Sequence, residues 1–87
     1  MSKFKTFCFT HRPRSGVTDE DVQKLVAYIR KKAEYWYVIT EKDDDERHIH
    51  SCFIMKKETK RCNIATELTR LFPTLDPDEK KVMLSGL

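Results

Sequence analysis

Residues 48–55, "HIHSCFIM", alternate between two kinds of side chain. A period of two is the signature of a β-strand with one face in the core. It sends His48, His50, Cys52 and Ile54 to one face and Ile49, Ser51, Phe53 and Met55 to the other. Just upstream, "EYWYVITE" (34–41) carries three aromatic residues followed by the β-branched Val38 and Ile39, a composition that suits a second strand. The polar stretch "KDDDER" between the two segments predicts a β-hairpin. This pairing limits the fold more than any other feature, because it fixes two antiparallel strands and turns both imidazoles the same way.

The remaining elements fall around the hairpin. "FKTFCFT" (4–10) reads as a first strand, ended by a loop containing Pro13 and Gly16. Thr18 then suits a helix N-cap, with Asp19, Glu20 and Asp21 in the first turn and Arg30, Lys31 and Lys32 in the last, each charge at the favourable end of the helix dipole. Val22, Leu25, Val26, Ile29 and Ala33 repeat at helical spacing. A second helix is expected over about 62–72, with Ile64, Leu68, Leu71 and Phe72 buried and Pro73 as its stop. A short third helix begins with Asp76 as cap, Pro77 in the first position and Glu79 three residues after the cap, and Gly86 ends it. The expected class is α+β, a ferredoxin-like β-α-β-β-α(-β) unit with an antiparallel sheet and helices, truncated on the C-terminal side before its last strand.

At 87 residues the chain suits one domain with a small core. It has no apolar run long enough to span a bilayer and no signal sequence, so a soluble intracellular protein without a membrane partner is expected. Cys8, Cys52 and Cys62 are odd in number and lack zinc-motif spacing, so three reduced thiols acting as small apolar residues are expected. The net charge is only +3, but it is unevenly spread: "HRPR", "RKK" and "KKETKR" are basic, while 41–46 is acidic. That separation suits a protein that meets a polyanion with one part and a divalent cation with another.

His48 and His50 lie roughly 7 Å apart along their strand and can lean onto one ion. Antiparallel pairing across the turn brings the Glu41 carboxylate beside His48, completing a set of one carboxylate and two imidazoles. Such a mixed oxygen and nitrogen site fits Mg²⁺ or Mn²⁺ acting on a phosphodiester, with positions open for water and a phosphate oxygen. Zinc is less favoured, because no thiolate is obviously supplied.

"FCFT" followed by "EKDDDERHIHSCF" resembles the first two motifs of the HUH endonuclease family, in its branch of replication-initiator (Rep) proteins of circular single-stranded DNA viruses and plasmids. The resemblance implies that residues 1–87 are the N-terminal part of a single such domain, nicking and joining single-stranded origin DNA for rolling-circle replication. It implies that Phe7, Phe9 and Thr10 take part in strand recognition and that Glu41, His48 and His50 hold the metal. It also implies a tyrosine nucleophile in a later Y-x-x-K motif. No tyrosine follows Tyr37, so no catalytic residue is expected within this segment. "YIRK" at Tyr28 matches that motif in letters, but Tyr28 precedes the histidines and belongs to a helix expected on the opposite side of the sheet. Further Rep segments or a helicase domain are expected partners, and the host nucleus is the expected location if the source is a eukaryotic virus.

His11, Arg12, Arg14, Lys56, Lys57, Lys60 and Arg61 are candidates for phosphate contacts, and Tyr35 and Tyr37 for base stacking if their face is open. The main alternative is a non-catalytic single-stranded nucleic-acid binding module of RNA-recognition-motif-like architecture, though the aromatic third-strand motif of that family is missing. A plain protein-interaction domain with incidental histidines is the other.

Overall fold

The computed structural model describes residues 3–43 and 46–87. Its elements run β1 (Lys3–His11), α1 (Asp19–Lys32), β2 (Ala33–Asp43), β3 (Glu46–Lys60), α2 (Arg61–Leu71) and α3 (Pro77–Ser85). The three strands form one antiparallel sheet in the order β1-β3-β2. The order β-α-β-β-α-α is the ferredoxin-like arrangement with a helix as its last element.

Local chemistry explains most boundaries. The Thr18 hydroxyl accepts from the Asp21 amide at 3.2 Å, and the Asp21 carboxylate accepts from the Thr18 amide at 3.0 Å. Gly16 precedes this capping box at φ +80°, a conformation glycine adopts without strain. Asp76 and Glu79 form a second such box at the start of α3, with Pro77 in the first turn. The Glu79 amide, together with the Arg14 guanidinium, holds the Asp76 carboxyl below its ordinary range.

Strand β3 is longer than its alternating core. It runs to Lys60 because β1 extends alongside it, pairing Lys3 with Lys60 and Phe4 with Thr59, and it passes directly into α2 without a side-chain cap. The basic stretch after Met55 is therefore strand. Ala33, expected as the last apolar residue of the first helix, already has extended backbone and opens β2.

The helices cover one face of the sheet. Phe7 and Phe9 of β1 and Ile49, Phe53 and Met55 of β3 pack there with Leu25, Ile29, Ile64, Leu68 and Met83. The hairpin leaves the other face open: Tyr35 is 66% exposed and Tyr37 47%. At its far end α3 reaches β1 so closely that a side chain on Gly86 would meet the Cys8 carbonyl oxygen at 3.1 Å. No described helix is long and apolar enough to cross a membrane.

The expectation of three reduced thiols is corrected for two of them. Cys8 and Cys52 stand directly opposite each other in the β1–β3 register, with Cα atoms 4.1 Å apart, and form a disulfide on the open face. Cys62 is free and exposed.

His11 ends β1 inside the core, 2% exposed, with its ring stacked on Phe72 at 4.0 Å and no hydrogen-bond partner for Nδ1. Burial holds its pKa below the ordinary value, against a weaker opposing pull from Asp21 and Glu79. The unfolded chain therefore takes up a proton near pH 6.5 that the folded chain resists. This residue's contribution falls as pH drops below about 6.5, by at most about 1.4 kcal/mol per pH unit, until the lowered folded pKa is reached. Urea unfolding at pH 7.5 and 5.5 should show a steeper acid loss for the wild type than for His11→Phe, which keeps the stack. Equal losses in the two proteins would refute this assignment.

Candidate metal centre

The hairpin register sets the site. Glu41 of β2 pairs with His48 of β3, and Ile39 pairs with His50, so the carboxylate stands beside one imidazole and diagonal to the other. Glu41 Oε2 lies 3.5 Å from His48 Nε2 and 3.5 Å from His50 Nε2. One ligand atom from each residue falls within 4.8 Å of the other two, so the cluster could hold a metal ion.

The distances bear directly on fit. Ligands about 2.1 Å from a shared ion stand about 3.0 Å apart at a right angle and about 3.4 Å apart at the tetrahedral angle. The observed 3.5 Å contacts to Glu41 are close to that spacing. The widest separation in the cluster, 4.8 Å, exceeds the about 4.2 Å that two such ligands can span, so the imidazoles must draw together by about half an ångström or more to share an ion. His48 Nε2 is buried and has no hydrogen-bond partner, since its approach to Glu41 lacks hydrogen-bonding geometry. A buried polar atom without a partner costs about 1–3 kcal/mol. Coordination through its lone pair would remove that penalty, so the residues present fit a divalent cation. The two rings meet edge-on, with centroids 4.8 Å apart.

Thr10 adds a contact that the sequence did not assign to it. It pairs with His50 across β1 and β3, and its Oγ1 lies 3.2 Å from His50 Nδ1. In the tautomer with hydrogen on Nδ1, the ring donates to Thr10 and keeps the Nε2 lone pair toward Glu41. Thr10 thus braces the imidazole of His50, one of the three residues that could hold an ion. Only the strand register could have revealed this, because the two residues are forty positions apart.

The other candidates divide by location. Phe7, Phe9 and His11 are 3%, 3% and 2% exposed on the helix-covered face, which corrects the expectation that they touch nucleic acid directly. Period two places them opposite Thr10 and the histidines. Arg12 is exposed. Arg14 is exposed but engaged by Asp76 and Asp78 of α3, and its amide donates to Glu79. Lys56, Lys57, Lys60 and Arg61 are exposed at the other end of β3, and Arg61 donates to the Leu84 carbonyl at 3.2 Å. Tyr28 packs against the core from α1, its hydroxyl buried and its pKa raised by burial and by Glu67, as suits a structural residue.

Replacing Thr10 with valine removes the hydroxyl while keeping a β-branched shape. Mn²⁺ affinity, measured by calorimetry, should fall about 10- to 100-fold, the usual effect of losing an orienting partner of a ligand. Unchanged affinity would remove Thr10 from the centre. Among protein-family models, curated proteins and solved structures, none matches this chain, so its functional reading rests on the convergence of Glu41, His48 and His50.

Proposed function

We propose that the chain is the metal-dependent, single-stranded DNA nicking and joining module of a replication initiator of the HUH type, with its tyrosine nucleophile supplied from outside residues 1–87. The observation that carries this reading is the shared carboxylate oxygen of Glu41 facing both imidazole Nε2 atoms at the rim of an open sheet.

Glu41, His48 and His50 would hold Mg²⁺ or Mn²⁺, and when bound the cation polarises the scissile phosphate and stabilises the charge developing on it. The site suits a polymer rather than a small enclosed substrate, because Glu41 is 59% exposed and Tyr35, Tyr37 and Ile39 beside it on β2 are exposed too. Tyr35, Tyr37 and Ile39 continue that face along β2 and offer stacking surface to successive bases. In the transfer the tyrosine phenol loses its proton, an oxygen–phosphorus bond forms, the bond to the 3′ oxygen breaks, and that oxygen takes up a proton. The 5′ end stays on the protein and the free 3′ hydroxyl can prime synthesis.

The exposed tyrosines also favour a second reading, a non-catalytic single-strand binding module, in which affinity is indifferent to chelation. Mn²⁺ separates the two. Pulsed electron paramagnetic resonance of the Mn²⁺-loaded chain should acquire a ³¹P coupling when single-stranded DNA is added, through a phosphate oxygen on the ion. His50→Ala should lose both the bound Mn²⁺ and the coupling, because His50 is part-exposed and its removal leaves the core intact. DNA that binds with no ³¹P coupling and no change on adding EDTA would leave only the second reading.

A further inference from the structure

Charge divides this molecule end from end. At the hairpin-turn end, Glu41 and Glu46 lie near the acidic first turn of α1, which Arg47 ties to β3 through Asp19 at 2.7 Å. The acidic first turn of α3 is held to the same end by Arg14. Arg14 and Arg47 there are already engaged by carboxylates, whereas Arg12 is exposed and enters no ion pair among the described residues. At the opposite end, the last turn of α1 meets the far half of β3 and forms a groove of about 300 Å³. Lys31, Lys32, Lys56 and Lys57 line it, together with Met55. One carboxylate, Glu67, lines it too, and it pairs with Lys32 at 3.8 Å. Among the described residues, Lys31, Lys56 and Lys57 enter no ion pair.

We propose that this groove is an anchor for the phosphodiester backbone of single-stranded DNA, gripping the strand whose scissile phosphate lies at Glu41, His48 and His50. The proposal rests on the reading of that centre as a phosphodiester site and adds where the strand's affinity comes from. Without a cation, the acidic end repels phosphates. The lysine groove attracts them with or without metal. Lys57 is seven residues beyond His50 along β3, a separation of at most about 23 Å because the strand's register is irregular after Ile54. That exceeds the Debye length of about 10 Å at 0.1 M salt, so repulsion from the acidic end is screened at the groove. The exposed side chains of Tyr37, Tyr35 and Ile54 lie between the two sites on the open face. A stacked strand at about 3.4 Å per nucleotide spans the distance in roughly seven nucleotides. The groove lies on the helix side of β3, so the strand leaves the open face around the end of the sheet.

Fluorescence anisotropy with labelled oligothymidines of 3 to 12 nucleotides, in EDTA and in Mn²⁺, tests this. For the wild type, affinity in EDTA should depend on salt and should climb as the strand lengthens past about seven nucleotides in Mn²⁺, where both sites are bridged. Lys56→Glu with Lys57→Glu should weaken binding of the 12-mer at least about tenfold. It should also reduce the salt slope by about 1.4, at about 0.7 per lost single-strand contact. Lys56→Arg with Lys57→Arg should restore binding, and Mn²⁺ affinity should match the wild type in both. Unchanged 12-mer affinity and slope in the glutamate pair would overturn the anchor while leaving the metal centre standing. Retained lysine dependence in a chain that binds no Mn²⁺ would support the anchor and sink the phosphodiester reading instead. Tighter, equally lysine-dependent binding of a 12-base-pair duplex would overturn the single-strand form of the proposal.

Discussion

Everything about this molecule follows from the register of β2 against β3. Glu41 opposite His48 and Ile39 opposite His50 set the hairpin, and the same ladder sets Trp36 opposite Phe53 and Val38 opposite Ser51. A slip of one residue on β3 would exchange its two faces, pushing His48 and His50 toward the helices and exposing Ile49, Phe53 and Met55. At about 1.5–3 kcal/mol for each large apolar side chain, the core forbids that exchange. The imidazoles therefore meet Glu41 because Ile49 and Phe53 cannot leave the interior. Ser51, which belongs to the buried set, is accommodated by donating its hydroxyl to the Tyr37 carbonyl at 2.9 Å.

The second organising element is β3's length. At fifteen residues it is the central strand of the sheet and the longest of the described strands. One end carries the Glu41, His48 and His50 cluster, and the other carries lysines beside the last turn of α1. Helix dipoles contribute to this arrangement. Asp19, Glu20 and Asp21 suit the positive N-terminus of α1 and Lys31 and Lys32 its negative C-terminus, so the rule that stabilises the helix also polarises the surface.

Much of this was legible in the sequence because it depends on local rules. Alternation placed the histidines and the core side of β3, capping residues placed the starts of α1 and α3, and antiparallel pairing placed Glu41 beside His48. What escaped depended on β1, whose register against β3 is set by long-range contacts. The run "FKTFCFTH" alternates as cleanly as β3 does, yet nothing local says which of its sets faces inward. That choice decides that Phe7, Phe9 and His11 are core, that Cys8 bonds to Cys52, and that Thr10 orients His50. The true length of β3 was hidden for a related reason, since "KKETK" has no apolar alternation and only its last two residues, Thr59 and Lys60, pair with β1.

The two buried imidazoles show why the hairpin end points to a ligand and the β1 end does not. His11 and His48 are each 2% exposed, and each has one ring nitrogen without a hydrogen-bond partner. His11 has compensation within the fold: its ring stacks on Phe72, and it borders a polar cavity of about 230 Å³ that also contacts Asp21 and Lys24. His48 instead directs Nε2 at a carboxylate oxygen shared with a second imidazole, 3.5 Å from each. Three ligand-type groups converge there, and His48 Nε2 is left buried without a hydrogen-bond partner. In an 87-residue domain with a small core, a penalty of a few kcal/mol is a large fraction of the total stability. A cation at the shared point would satisfy the orphaned Nε2, so the cluster could hold a metal ion.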